Sequence, residues 1–339
     1  MKSIVIRQPN ELVIEEREIP APGTGEVRVR ITLAGICGSD SHIYRGHNPF
    51  AKYPRVIGHE FFGVIDAVGD GVTDKSPGQR VCVDPVISCG HCYPCSVGKP
   101  NVCTSLEVLG VHRDGGFSEY AVVPAGNAWV VPASIADEHA VMVEPFTIAA
   151  NVTGQVNPRE DDIALIYGAG PMGLTTLQAL KGVYRVKQVI VVDRIDERLA
   201  LAERNGADWV INNSEQSLAG QLEAKGIKPT LIVDAACHPT ILAEAIAIAS
   251  PAGRIVLMGF STEPSQVVQQ AITGKELSLY SSRLNARKFP VVIDWMEKKL
   301  INPDMLITHH FEYQQVKEAI EVFEKDQKRC CKVLLTFTE

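Results

Sequence analysis

Ile163-Ala-Leu-Ile-Tyr167, then Gly168-Ala-Gly170-Pro171-Met172-Gly173, and, after a helical stretch to about Tyr184, Val189-Ile-Val-Val-Asp193 decide the fold. The first run is apolar throughout, as for a strand buried on both faces of a parallel sheet. A GxGxxG by itself says little. This one lies between a strand and a helix, and its acid follows the third glycine by twenty residues. That context makes it a dinucleotide site. Gly168 allows the tight turn, Gly170 lets the backbone approach a pyrophosphate, and Gly173 permits close helix–strand packing. Pro171 and Met172 open the helix, where proline is tolerated, and the helix N-terminus faces the phosphates. Asp193 would accept hydrogen bonds from ribose hydroxyls and repel a 2′-phosphate, which favours NAD. Arg194, next to it, could pair with that phosphate and pulls the other way.

Downstream the alternation continues. Leu231–Asp234, Arg254–Met258 and Leu277–Tyr280 read as strands, with helices at about 196–204, 215–224 and 239–249 between them. This βαβ rhythm implies an α/β, doubly wound parallel Rossmann domain over 153–286. Residues 287–300 and 313–326 look like amphipathic helices and 332–337 like a terminal strand. That tail is too small to be a domain, so it should pack back on the N-terminal part.

Upstream the character differs. Ser3–Ile6, Leu12–Glu15, the alternating Glu26-Val-Arg-Val-Arg-Ile31, Phe61–Ile65 and Arg80–Val83 read as short strands. Residues 134–153 look helical, with Glu144-Pro145 marking a start or a kink. Two stretches carry metal-binding residue types. Gly35-Ile-Cys37-Gly-Ser39-Asp40-Ser-His42, followed by Gly58-His59-Glu60, brings together a thiol, two imidazoles and carboxylates, the ligand types zinc takes. Cys89, Cys92 and Cys95 recur at steps of three and Cys103 follows eight later, a spacing that lets one loop set four thiolates on a tetrahedron. A closed four-cysteine shell has no open position, so a zinc there would be structural. The alternatives, disulfides and an iron–sulfur cluster, are disfavoured by compartment and by spacing. His91 lies inside this loop as a bystander. Glu144, in an otherwise apolar run, must be paired or bind a metal to avoid a large desolvation cost, unless it is exposed at a helix start.

The bulk properties narrow the partners. The 339 residues are long for one core, and Lys plus Arg at 33 against Asp plus Glu at 40 gives a net charge of −7. That balance offers nucleic acid or an anionic membrane no electrostatic foothold. No signal peptide and no apolar run of membrane-spanning length is evident. Nine cysteines, four of them clustered, suit a reducing compartment. A cytoplasmic protein with a small-molecule substrate is expected.

Taken in order, Gly35 to Asp40, Gly58-His-Glu, the cysteine loop, Glu144-Pro145 and Gly168 to Asp193 resemble the zinc-dependent medium-chain dehydrogenases over essentially the whole chain, most of all the branch acting on sorbitol, threonine and sugar acids. The resemblance implies a GroES-like β-domain (1–152 plus 287–339), two zinc ions per chain, NAD, and a homo-oligomer, dimer or tetramer. Within the branch it points to oxidation of a hexonate such as L-gulonate or L-galactonate at C5, with a polyol or L-threonine dehydrogenase, or a non-catalytic sensor of a metabolite or NAD, as alternatives. It implies that Cys37 and His59 bind the catalytic zinc, with Glu60 or Glu144 as the carboxylate ligand, and that Asp40 orients His59. The zinc would acidify the substrate hydroxyl, hydride would pass to the nicotinamide, and the proton would leave through the Ser39 hydroxyl and the cofactor ribose to His42, unless His42 is simply a loop histidine. Arg283, after the last Rossmann strand, is the candidate for a substrate carboxylate; pairing with a structural acid is the equal alternative.

Overall fold

The computed structural model describes residues 1–214 and 216–337. It divides into two compact units: Met1–Glu144 with Asn285–Glu297 and Leu306–Glu339, and Pro145–Leu284 with Lys298–Met305. No helix among the described residues is long and apolar enough to cross a membrane.

The second unit is built on six parallel strands in the order Trp209–Asn212, Gln188–Asp193, Ile163–Tyr167, Leu231–Asp234, Arg254–Leu257, Ser278–Ser281. The order reverses beside Ile163–Tyr167, and ligands of doubly wound sheets bind at the carboxyl ends of the strands at such a switch point. The sheet packs its Leu, Ile and Val side chains, Leu165, Ile190, Ile232 and Ile255 among them, against helix residues such as Leu218, Leu222, Ile241 and Ala245. Trp209–Asn212 escapes the sequence reading; unlike the equally short but fully buried Leu231–Asp234, it has three of its four residues only half-buried. The helix expected at 215–224 runs Leu218–Ala224, where the Ser217 hydroxyl accepts the Gly220 N–H at 3.2 Å; Glu215 lies outside the described residues.

The first unit is antiparallel in the main. Its large sheet runs Ala128–Val130, Arg80–Val83, Glu60–Val68, Glu26–Ile36, Lys332–Thr336, Ile307–Glu312, and Tyr120–Pro124 also pairs with Glu26–Ile36. The C-terminal strand therefore lies antiparallel to Glu26–Ile36, with Val333 opposite Ile36. Thr338 and Glu339, in the tail expected to join this unit, lie outside the described residues.

Three expectations are corrected. The helical stretch 134–153 is two helices, Asp137–Val141 and Val143–Val156, so Pro145 stands in a first turn, where its missing N–H costs nothing, and makes no kink. The helix expected over 287–300 runs Phe289–Glu297; Lys299 adopts φ +54°, which ends it. Residues 145–152, expected in the first unit, group with the Rossmann unit, and so do residues 298–305. The Gln178 side chain fixes the latter there, accepting the Asn302 N–H at 2.7 Å and donating to its carbonyl at 2.9 Å.

Candidate active site and metal centres

The helix Gly38–Tyr44, absent from the sequence reading, starts directly after Cys37. Asp40 in its first turn is fully buried. Its Oδ2 accepts the Cys37 N–H at 2.9 Å and its Oδ1 accepts the Gly58 N–H at 3.0 Å. One carboxylate thus ties together the two segments that carry the thiol and the imidazole. The His59 Nδ1 lies 3.5 Å from Asp40 Oδ1, and its Nε2 lies 3.4 Å from the Ser39 hydroxyl. The far end of the helix is anchored by Glu324, which accepts from the Ser41 hydroxyl at 2.5 Å and pairs with Arg45 at 2.6 Å.

The donor atoms of Cys37, His59 and Glu60 all lie within 4.8 Å of one another, close enough to share one ion. Glu144 is buried nearby but falls outside that group. The electrostatics show what the cluster lacks. Burial disfavours a charged His59, yet the charges of Asp40 and Cys37 outweigh it and hold the imidazole well above its usual value. Burial pushes the Glu144 carboxyl up to about 8; His59 draws it down and the negative charge of Glu60 drives it up. An anion-rich, dry pocket holding a thiol, an imidazole and a carboxylate is one that a divalent cation would neutralise, and the donor set is one zinc accepts.

The cysteine loop fits zinc on geometry. Sγ–Sγ separations are 3.4 Å for Cys92–Cys95, 3.7 Å for Cys92–Cys103 and 3.5 Å for Cys89–Cys103. A tetrahedron of 2.3 Å Zn–S bonds has edges of about 3.8 Å. The same distances exclude disulfides, whose sulfurs stand about 2 Å apart. Backbone N–H groups of Cys89 and Ser105 both donate to the Cys103 sulfur at 3.3 Å. His91 turns its Nδ1 to the Cys89 carbonyl at 2.8 Å and stands outside the four-cysteine group.

In the Rossmann unit the glycine loop has the shape a dinucleotide needs. A Cβ on Gly173 would lie 1.9 Å from the Gly168 carbonyl oxygen, so only glycine lets the helix Pro171–Gln178 sit this close to the strand. A Cβ on Gly170 would meet nothing within 4 Å; the space there is open for phosphate. Pro171 and Met172, half-buried, form the helix start. The Asp193 carboxylate is oriented by the N–H groups of Ala169 at 2.8 Å, Arg194 at 2.7 Å and Ile195 at 3.0 Å. Arg194 is exposed.

The remaining residues are less tightly bound into a site. His42 is exposed, three positions after Ser39 on the same short helix, and so on the same face. Arg283 is half-buried in the Rossmann unit, its guanidinium 5.0 Å from the ring centre of exposed Phe260. A buried cation escaped the sequence reading altogether: Lys332, 1% exposed, donates to both oxygens of Glu60 at 2.8 and 2.7 Å. The available signal was a lysine heading an otherwise apolar strand.

Comparisons with known proteins agree with this construction. Residues 23–133 match the alcohol dehydrogenase GroES-like domain and residues 171–298 the zinc-binding dehydrogenase domain. The chain is 72% identical over the full length of both proteins to the starvation-sensing protein RspB of Escherichia coli K12. It is 32% identical, over 99% of both, to the L-galactonate-5-dehydrogenase of the same organism. It superimposes on the NADH complex of the rspB alcohol dehydrogenase of Escherichia coli CFT073 with a TM-score of 0.98, at 71% identity and 99% coverage of both chains. With a GroES-like unit carrying two groups of residues that could hold a metal and a Rossmann unit carrying the glycine loop, this chain belongs to the zinc-type medium-chain dehydrogenases and is an NAD-linked alcohol dehydrogenase.

Proposed function

We propose that this dehydrogenase oxidises a secondary hydroxyl of a sugar acid, a hexonate such as L-gulonate or L-galactonate at C5, to the ketone. The observation that carries the reading is the full-length similarity to an L-galactonate-5-dehydrogenase, alongside a donor group that includes the carboxylate of Glu60. Cys37, His59 and Glu60 would hold the catalytic zinc, with Glu144 as the second carboxylate beside it. Cys89, Cys92, Cys95 and Cys103 would hold the structural one. Bound zinc supplies Lewis acidity to the substrate hydroxyl, and bound NAD accepts the hydride.

The chain's own residues do the rest. Asp40 holds the His59 ring and the Cys37 backbone in register. The Ser39 hydroxyl would accept the substrate proton as it gives up its own toward exposed His42, on the same helix face, which hands it to solvent. Gly168, Gly170, Pro171, Met172 and Gly173 seat the pyrophosphate, and Asp193 takes the ribose hydroxyls. Arg283 binds the substrate carboxylate. Cys37, Cys82, Cys89, Cys92, Cys95, Cys103 and Cys237 take part in no disulfide, in keeping with a cytoplasmic location. The edge strand Ser278–Ser281, with Leu279 41% exposed, offers a second copy a pairing surface, in keeping with a dimer or tetramer.

The test is NAD reduction over a panel of hexonates, polyols and L-threonine, with chelator controls. Turnover on a hexonate, lost on chelation, supports the reading. Turnover confined to polyols or L-threonine overturns the substrate class. NADH binding without turnover on any of them would favour a sensing role.

A further inference from the structure

Lys332 is the one buried cation that contacts the metal-donor group among the described residues. Its ammonium donates to Glu60 Oε1 at 2.8 Å, to Glu60 Oε2 at 2.7 Å and to the Ile36 carbonyl at 3.3 Å. Both side chains are 1% exposed. The strands dictate the arrangement. Lys332–Thr336 runs antiparallel beside Glu26–Ile36, which in turn pairs Gly35 with Glu60. A Cβ on Gly35 would lie 2.3 Å from Glu60 Oε2, so the carboxylate occupies the space that glycine leaves. Glu60 is thereby clamped by both oxygens while still within reach of Cys37 and His59.

A salt bridge that only stabilised the sheet would have no reason to stand against a metal donor. The surroundings are rich in acid: Cys37, Asp40 and Glu60 would together carry three negative charges when ionised, and a divalent ion offsets two. We infer that Lys332 acts on the metal centre through Glu60, supplying the positive charge that keeps this donor set from binding its ion too strongly. The inference rests on the proposal that Cys37, His59 and Glu60 hold zinc. Its physical content is a sign. A structural lysine, once removed, loosens the site and the ion. A charge-offsetting lysine, once removed, leaves more negative charge on the donors, and the ion is held more tightly. Two unit charges about 5 Å apart at an effective dielectric constant of about 20 interact by more than a tenfold change in an equilibrium constant.

The experiment uses the full chain loaded with cobalt(II), chelator competition, and the visible absorption of cobalt at the Cys37 site, with the four-cysteine site as internal control. Lys332→Met should bind the Cys37-site metal at least about tenfold more tightly than wild type and change its visible bands, while Lys332→Arg stays near wild type. Unchanged or weaker binding in Lys332→Met overturns the inference. Should that variant fail to fold, Glu60→Gln is compared with Glu60→Gln/Lys332→Met, where the unpaired charge or its absence decides. The double variant should bind metal about tenfold more tightly, and equal affinity overturns the inference. A wild-type chain that binds one metal, unaffected by Cys37→Ser, would instead overturn the underlying zinc reading, a result distinct from each of these.

Discussion

Two glycines three residues apart should fail in opposite ways when a methyl group is added. At Gly173 the new Cβ would stand 1.9 Å from the Gly168 carbonyl oxygen and 3.3 Å from Ile166 Cγ2. A carbon and a carbonyl oxygen need more than 3 Å, so the helix Pro171–Gln178 must withdraw by over an ångström. It cannot do so freely, because Gly173, Leu174, Thr175, Thr176, Leu177 and Gln178 are all buried. Overpacking of this kind costs about 1–3 kcal/mol, and the withdrawn helix end no longer meets the pyrophosphate. At 1.4 kcal/mol per decade, an equal loss in binding is about five- to 150-fold. At Gly170 the added methyl meets nothing within 4 Å. The fold should tolerate it, yet it occupies the phosphate space. Gly173→Ala should therefore lower both the urea midpoint and NADH affinity, and Gly170→Ala the affinity alone. NADH fluorescence titration and urea unfolding of the two variants measure this. A Gly173→Ala protein of wild-type stability, or a Gly170→Ala protein that binds NADH normally, would refute the reasoning.

Cys37→Ser should lower the zinc content by one ion per chain and abolish turnover while NADH binding persists; elemental analysis beside the NADH titration checks it. His42→Ala should slow NAD reduction by about tenfold or more near pH 7 and far less at high pH, where hydroxide takes the proton; a uniform loss across the pH profile would sink the proton exit. Asp84 tests a pH dependence. Burial pushes its carboxyl up to about 6, with the Asn285 amide and the Val86 N–H opposing. A folded value above the unfolded one near 3.9 means that the native state holds its proton more firmly, so stability falls as pH rises from about 4 to 6. Asp84→Asn keeps an acceptor and removes the charge. It should raise the thermal midpoint at pH 8 and match wild type near pH 4.

The Rossmann half was the more legible in the sequence because parallel strands buried on both faces appear as unbroken apolar runs. Gln188–Asp193 and Leu231–Asp234 announce themselves in this way, and Gly168 to Gly173 sits between a strand and a helix. The four cysteines needed only their spacing. What stayed hidden depends on pairing distant in sequence. The helix Gly38–Tyr44 is seven residues long and carries no apolar stripe; it exists because Asp40 caps Cys37 and Glu324 holds its other end. That Lys332 stands against Glu60, 272 residues away, has no local signal at all. Arg283 has a partner in Phe260 that no local pattern signals.

The strand Lys332–Thr336 has a consequence for the order of events in the cell. Glu60 and Lys332 are 272 residues apart, and the whole Rossmann unit is synthesised between them. As the chain leaves the ribosome, Cys37, His59 and Glu60 emerge early, beside an incomplete sheet whose central strand, Glu26–Ile36, still has a bare edge. The Glu60 carboxylate meets its buried counter-charge only once Lys332 has been made. A nascent chain stalled anywhere before residue 332 therefore presents an open strand edge and a Glu60 without its buried cation.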